Sequence, residues 1–168
     1  SHEKELMNYI EKLFKEGKNA RVFIFGSIFG GTGASSIPVI PVALKEALKI
    51  YKDQPVDIDA KFSASLLTEY FTFTSPNDAQ KSDKKNAVIA DSMFFTLNSQ
   101  AALQFYHNDP TVKSTYKSLY HIGWPETPQD FSKGKNESET ITGGDKQINP
   151  CHVAELLCAF AAYDFFNR

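Results

Sequence analysis

The feature that most constrains the fold is a short apolar segment followed directly by a glycine-rich one. Residues 21–25 read Arg-Val-Phe-Ile-Phe, and residues 26–36 contain four glycines. An apolar run without polar alternation is typical of a strand covered on both faces, as in a parallel sheet. Beyond the glycines, apolar residues recur with helical spacing as far as Tyr51. The sequence therefore predicts a buried strand, a glycine loop and a helix in immediate succession.

Strand and helix patterns alternate along the rest of the chain. The other predicted elements are a helix over Glu3–Lys18, strands over Phe62–Phe73 and Lys117–Ile122, a helix over Asn86–Asn108, and a mostly buried helix from Pro150 to Phe166. In the helix after the glycines, Pro38 suits the first turn, and Pro41 indicates a late start or a mild kink. The alternation favours an α/β fold with a three-layer Rossmann-like parallel sheet and right-handed crossovers. We expect residues 1–168 to form a single partial domain, with a long flexible surface loop at 124–146.

Composition and charge exclude several classes of protein. Lysine and arginine (18) nearly balance aspartate and glutamate (20), and no basic stripe indicates a nucleic-acid surface. The apolar runs are too short to cross a membrane, and no secretory signal opens the chain, so we expect a cytoplasmic protein. Cys151 and Cys158 lie two helical turns apart, too far for a disulfide. We expect both to be buried, reduced thiols, and no metal site is predicted.

The glycine loop is the candidate functional site. Phosphate needs several backbone N–H donors turned toward it with no side chain in the way, and the helix that follows adds free amides and a positive dipole end. The residues expected to meet phosphate are Gly30, Gly31, Thr32, Gly33 and Ser35. The loop lacks both the lysine of a Walker motif and the spacing of a dinucleotide-binding motif. A glycine-rich turn with no ligand is the alternative.

Two segments of the chain resemble a known family. From Val22 to Pro38 the chain reads VFIFGSIFGGTGASSIP, which aligns without a gap on the FtsZ signature VFVTAGMGGGTGTGAAP. Phe29 replaces the first glycine of the family's triple, and Ser35 replaces its last glycine. A second stretch, Leu66–Phe73 (LLTEYFTF), is similar to the end of the family's next strand, VVTKPFNF. The chain thus resembles tubulin/FtsZ-like nucleotide-binding domains, and divergent bacterial tubulin-like proteins more than FtsZ itself.

The resemblance implies a ligand. It implies that the phosphates of a guanine nucleotide, GTP or GDP with or without Mg²⁺, lie on residues 30–33. In the family the base is recognised by the segment after the third strand and by the start of the last helix, where this chain has Trp124 and Asn149. Asn149 can hydrogen-bond a purine edge, but its place before Pro150 is more typical of a helix N-cap. Trp124 can stack on a base or simply pack in a turn.

The resemblance also bears on catalysis. It implies further strands before residue 3 and, after the last helix, a loop that supplies a catalytic carboxylate to a neighbouring subunit. Glu155 and Asp164 are the acids near that point, but both fall within the predicted helix. These residues therefore define no hydrolytic centre, and enzymatic activity stays open.

Two functions of different classes follow from the sequence. The first is a domain that binds a purine nucleotide, with GTP or GDP favoured, in a tubulin-like protein that assembles head to tail. The second is a scaffold or interaction domain that kept the fold and lost nucleotide binding, an alternative favoured by the bulk of Phe29. Three strands alone would leave an apolar sheet edge. We therefore expect a homo-oligomer, or another chain that covers this edge.

Overall fold

Helices and strands alternate in the structure, a computed structural model that describes residues 2–16, 19–52, 61–72, 91–123, 129–130 and 151–168. The α-helices within these ranges are α1 (His2–Glu16), α2 (Gly31–Lys52), α3 (Phe95–Asn108), α4 (Pro110–Thr115) and α5 (Val153–Asn167). The strands are β1 (Arg21–Ser27), β2 (Lys61–Leu67), β3 (Phe71–Thr72), β4 (Tyr116–Ile122) and β5 (Gln129–Asp130). A 3₁₀-helix over Ser92–Phe94 leads into α3.

The central sheet has three parallel strands in the order β1-β2-β4. Arg21 pairs with Lys61 and Ser27 with Leu67, so β1 and β2 run in register from end to end. The predicted parallel sheet of an α/β fold is confirmed at this level. β3 and β5 form a separate two-residue parallel pair. β5 falls inside the predicted surface loop at 124–146, and the rest of that segment lies outside the described residues.

Two apolar cores lie on opposite faces of the sheet. Along β1, Val22 and Ile24 face one core and Phe23 packs on the other, as the two-residue period of a strand requires. The first core gathers buried residues of α1 to α4, whereas the second lies under α5 and includes Ala154 and Cys158. The layers are therefore helix, sheet and helix, which is compatible with a Rossmann-like fold.

The predicted second strand, Phe62–Phe73, is wrong in its second half. β2 ends at Leu67, and Phe71–Thr72 belongs to the separate pair with β5. Between the two strands, Tyr70 donates its hydroxyl proton to Glu155 at the start of α5 (2.7 Å). This long-range hydrogen bond directs the chain toward α5, although the local residues have the composition of a strand.

The helices also differ from prediction at their starts. α3 begins at Phe95, and the predicted first turn at residues 86–90 lies outside the described residues. α5 begins at Val153, three residues later than predicted. His152 is its N-cap: the imidazole accepts the N–H of Ala154 (3.1 Å), and Glu155 accepts the N–H of His152 (3.0 Å) in a capping box.

Helix α2 contains both of its prolines in the interior. It begins at Gly31, so the prediction that Pro38 lies in the first turn and the late start considered for Pro41 are wrong, whereas a mild kink at Pro41 stays a prediction. A proline lacks the N–H that would bond the carbonyl four residues earlier, and an interior proline typically costs about 3 kcal/mol. Local sequence rules alone do not reveal how the two carbonyls freed by these prolines are satisfied.

Two tyrosines outside α2 supply the missing hydrogen bonds. The carbonyl freed by the first proline, that of Ala34, accepts the hydroxyl of Tyr106 from α3 (2.6 Å). The carbonyl freed by the second, that of Ile37, accepts the hydroxyl of Tyr116 from β4. Burial raises the pKa of Tyr106 to about 12 and also raises the pKa of Tyr116, so both hydroxyls keep their protons at neutral pH. Each proline is thus matched by one buried tyrosine.

This matching makes the effects of mutation depend on the proline. Tyr116→Phe should lower the free energy of unfolding by about 1–3 kcal/mol, because Ile37 O is left buried without a donor. In a Pro41→Ala background the helix regains its N–H, and the same change should cost less than about 1 kcal/mol. In a Pro38→Ala background it should cost the full amount. Urea denaturation of the wild type and the two proline variants, each with and without Tyr116→Phe, measures these differences. Equal costs of Tyr116→Phe in all three backgrounds would contradict the pairing of Tyr116 with Pro41.

Candidate functional site

The glycine loop lies at the carboxyl end of β1, where α2 begins. β1 ends at Ser27, and Ile28 donates its N–H to Leu67 O (2.9 Å), which ties the loop to β2. The first helical hydrogen bond of α2 runs from the N–H of Ala34 to Gly30 O (3.1 Å). The amides of the three residues in between have no acceptor within the helix. The helix therefore presents free donors at the carboxyl edge of the parallel sheet.

The glycines of the loop have different surroundings. A methyl group added at Gly30 or Gly31 would meet no atom within 4 Å. A methyl group at Gly33 would lie 1.9 Å from Ser27 O, the last carbonyl of β1. Gly33 is therefore required for α2 to pack closely against β1. Gly30 and Gly31 are not required by packing, because the space where their side chains would lie is open.

The hydroxyls of the first turn are accessible. Thr32 and Ser35 are exposed, and the Ser35 hydroxyl donates to Thr32 O (3.2 Å). Bonding to the carbonyl three residues earlier is a common state of serine in a helix. The two side chains thus lie beside the open glycines, with the hydroxyl proton of Ser35 directed to the helix backbone.

Phe29 holds the glycine loop against the second core. Its side chain is 8% exposed and packs among the rings of Phe95, Phe71 and Tyr70, with centroid distances of 4.8, 5.7 and 6.2 Å. Its carbonyl accepts a hydrogen bond from the Asn98 side chain of α3 (3.1 Å). Phe29 therefore lies in the core beside the loop, and no local sequence pattern marks Asn98 as its partner.

An acidic residue lies at the same edge of the sheet. Glu69 follows β2 and accepts the hydroxyl of Ser99 (2.6 Å). Burial acts to raise the pKa of Glu69, but hydrogen bonds from Ser99 and Thr96 and the nearby His121 lower it below its usual value. Glu69 is thus ionised at neutral pH. Sequence analysis did not single it out.

A cavity of about 240 Å³ opens on the α5 side of the loop. It is lined by Phe25, Gly26, Ser27, Ser65, Leu67, Glu155 and Cys158. The Ser65 hydroxyl is fully buried and has no regular hydrogen bond within the described part of the chain. Burial raises the pKa of the neighbouring Cys158 thiol, and the proximity of Ser65 offsets this only partly. Cys158 is therefore a protonated thiol and a poor nucleophile.

The two cysteines are both free, but only one is buried. Cys158 lies on the buried face of α5, whereas Cys151 is exposed just before that helix. The expectation of two buried thiols is therefore wrong for Cys151, which precedes the first turn of α5 rather than lying within it. Across the described ranges, no group of three His, Cys, Asp or Glu residues could hold a metal ion.

The two acids of the last helix have structural partners. Glu155 accepts the hydroxyl of Tyr70, and Asp164 accepts that of Tyr120, each at 2.7 Å. Asp164 also pairs with Arg168 (2.7 Å). Hydrogen bonds from Tyr120 and Arg168 lower the pKa of Asp164. Glu155 therefore attaches α5 to the segment that follows β2, and Asp164 attaches it to β4 and to Arg168.

Two of the predicted site residues were expected to contact the base of the nucleotide. Trp124 and Asn149 both lie outside the described residues. The part of the predicted site that the structure brings together is the segment from Gly30 to Ser35.

Comparison with known proteins identifies no relative. No family model matches the chain, and no curated protein or solved structure matches it. Among the helices that the structure describes, none combines the length and apolar character needed to span a membrane.

Proposed function

We propose that this chain binds a purine nucleotide, with GTP or GDP favoured, and that the phosphates lie on the amides of residues 30–33. The observation that carries the proposal is the open backbone at Gly30 and Gly31, at the first turn of a 22-residue helix. The resemblance to tubulin/FtsZ-like domains supports the choice of a guanine nucleotide. Nothing in the described residues calls for hydrolysis, so the proposal is binding alone, with or without Mg²⁺.

The amino end of α2 provides the physical basis for binding phosphate. Amides without helical acceptors point along the helix axis, and the aligned peptide dipoles favour an anion there by about 0.3–2 kcal/mol. In open α/β sheets, ligands bind in the crevice beyond the carboxyl ends of the strands. Residues 30–33 lie at such an end, beside β2, which is the middle strand of the three.

The second candidate function is a scaffold domain without nucleotide, and Phe29 favours it. The aromatic residues around Phe29 fill part of the region beside the carboxyl ends of the strands. Two basic side chains of the described residues are engaged elsewhere: Arg21 donates to Phe165 O (2.8 Å) at the opposite edge of the sheet, and Lys45 lies over the Phe62 ring (5.6 Å). Neither is therefore available to phosphate bound at the loop.

The expected self-association is also a proposal. β1 and β4 are the outer strands of the described sheet, and Phe25 of β1 is 61% exposed. An exposed aromatic residue on an outer strand supports the idea that a second copy, or another chain, covers this edge.

A thermal-denaturation series tests nucleotide binding. GTP, GDP, ATP and NAD are added separately, with and without Mg²⁺. A ligand at 100 times its Kd should stabilise by about 2.7 kcal/mol, which raises Tm by about 5–10 °C for a chain of this size. A shift with GTP and GDP that exceeds the shifts with ATP and NAD is expected. The absence of a shift with every nucleotide would favour the scaffold function.

A matched pair of variants locates the effect. Gly31→Val adds a side chain in the open space above the loop, and Ala43→Val makes a similar change at an exposed position of the same helix. Both should fold with the Tm of the parent. Gly31→Val should weaken nucleotide binding at least about 10-fold, since the side chain occupies the place of the phosphates. A nucleotide shift that survives Gly31→Val unchanged would place the ligand elsewhere.

A further inference from the structure

Helix α5 has two apolar faces, and the sheet covers one of them. The inner face consists of Ala154, Cys158, Ala161, Ala162 and Phe165, all buried. The outer face carries six apolar side chains that are 44–69% exposed: Val153, Leu156, Leu157, Phe160, Tyr163 and Phe166. The sequence predicts a mostly buried helix here, which is correct for the inner face and wrong for the outer face. Within the described part of the chain this face is exposed, and an exposed apolar face of this length is typical of an interaction surface.

The spacing on the outer face is that of a helix-pairing seam. Val153, Leu156, Phe160 and Tyr163 follow one another at intervals of three, four and three residues. This is the a/d pattern of a heptad repeat, which places one line of apolar side chains along a helix. Such a line fits a second helix better than it fits a flat surface.

The charges of α5 are directed away from the seam. Its two acids, Glu155 and Asp164, accept hydrogen bonds from Tyr70 and Tyr120 of the chain beneath. The side chains of the seam are themselves uncharged, and the half-exposed Asp164 beside them is paired with Arg168 (2.7 Å), so an identical helix meets little like charge. A strongly charged partner would find no complementary group on the seam.

The sizes of the side chains indicate the direction of pairing. The aliphatic residues Val153 and Leu156 lie at the amino end of the seam, and the larger aromatic residues Phe160 and Tyr163 lie at the carboxyl end. Antiparallel pairing of two copies sets each aliphatic residue opposite an aromatic one, Val153 opposite Tyr163 and Leu156 opposite Phe160. Parallel pairing would crowd one end and leave a gap at the other, which close packing disfavours.

We infer that the outer face of α5 is the interface of a two-fold symmetric dimer, in which α5 pairs antiparallel with α5 of a second copy. The six side chains expose roughly 600 Å² per protomer, estimated from typical residue areas, and stable interfaces commonly bury about 800 Å² from each partner. The seam thus supplies most of an ordinary interface. This dimer closes on itself and does not depend on nucleotide, unlike head-to-tail assembly.

Sedimentation of the wild type and two variants tests the interface. The wild type should dimerise between low-micromolar and several hundred micromolar concentrations, without nucleotide. Phe160→Glu should weaken the dimer at least about 100-fold and leave the urea midpoint of the monomer unchanged, since Phe160 is 59% exposed. Phe105→Glu, a similarly exposed phenylalanine of α3, is the control and should leave dimerisation unchanged. A wild type that stays monomeric, or a dimer that survives Phe160→Glu, would overturn the inference.

Crosslinking tests the antiparallel arrangement in a Cys151→Ser background. An equimolar mixture of Leu156→Cys and Phe160→Cys proteins should form a mixed intermolecular disulfide on mild oxidation, because these two positions face each other. Val153→Cys should not link to its own copy, since the two sites lie at opposite ends of the interface. Val153→Cys that links to its own copy as readily as the mixture links would rule out the antiparallel pair.

Discussion

Gly33→Ala is expected to lower the free energy of unfolding by about 3 kcal/mol. The new Cβ would lie 1.9 Å from Ser27 O and 3.0 Å from the carbon of the same carbonyl. These are backbone atoms, so the contact can be relieved only if α2 moves away from the end of β1. Urea denaturation monitored by circular dichroism measures the loss.

Gly31→Ala is the matched control for this prediction. It makes the same chemical change two residues earlier, where the added methyl meets no atom within 4 Å. Alanine also forms helix more readily than glycine, so stability should stay the same or rise by up to about 1 kcal/mol. If the two variants lose equal stability, the close approach of α2 and β1 at Gly33 is wrong.

Phe29→Ala is expected to destabilise the protein by about 3–5 kcal/mol. The ring is buried and makes contacts with Tyr70, Phe71 and Phe95 that a methyl group cannot replace. Phe29→Leu keeps most of the volume and should cost about 1–2 kcal/mol. Thermal and urea denaturation of both variants give these values.

The exposed Phe94 provides the control for Phe29. It is 48% exposed, and Phe94→Ala should change the free energy of unfolding by less than about 1 kcal/mol. A similar small loss for Phe29→Ala would show that the ring does not lie in the core.

Phe29→Gly is a poor test of whether this side chain hinders nucleotide binding, because the loss of stability would mask any effect on the ligand. Phe29→Leu keeps most of the stability and is the better variant for that test.

Local patterns were sufficient to predict much of the sheet. The apolar run at residues 21–25 predicts a strand covered on both faces; β1 is a strand there and is covered over Val22 and Ile24, but Phe25 on its other face is 61% exposed. Lys117–Ile122 differs from β4 by one residue. Such segments are predictable because the apolar residues that identify a strand are the same residues that its neighbours bury.

Contacts distant in sequence decided the features that were not predicted. The two interior prolines of α2 depend on Tyr106 and Tyr116, which lie far along the chain. The end of β2 depends on the hydrogen bond between Tyr70 and Glu155, 85 residues apart. No local window contains both partners of such a contact, so sequence patterns could not place these boundaries.

The candidate site was predictable as a segment but not in its division of roles. The glycine content of residues 26–36 predicts a loop with permissive backbone before a helix. That content alone does not separate Gly33, which packing against Ser27 requires, from Gly30 and Gly31, which face open space. The direction of the Phe29 side chain depends on rings from two other segments, Tyr70–Phe71 and Phe95, so the local sequence does not show that this ring lies in the core beside the loop.

The most direct test of the proposed site is the amide spectrum of ¹⁵N-labelled protein during titration with GDP. Phosphate bound at the start of α2 should produce the largest shift changes at the amides of Gly30, Gly31, Thr32 and Gly33, since these groups would donate to the ligand. The changes should saturate with a single Kd. An unchanged spectrum, or changes confined to the cavity lined by Ser65 and Cys158, would contradict phosphate binding at the glycine loop.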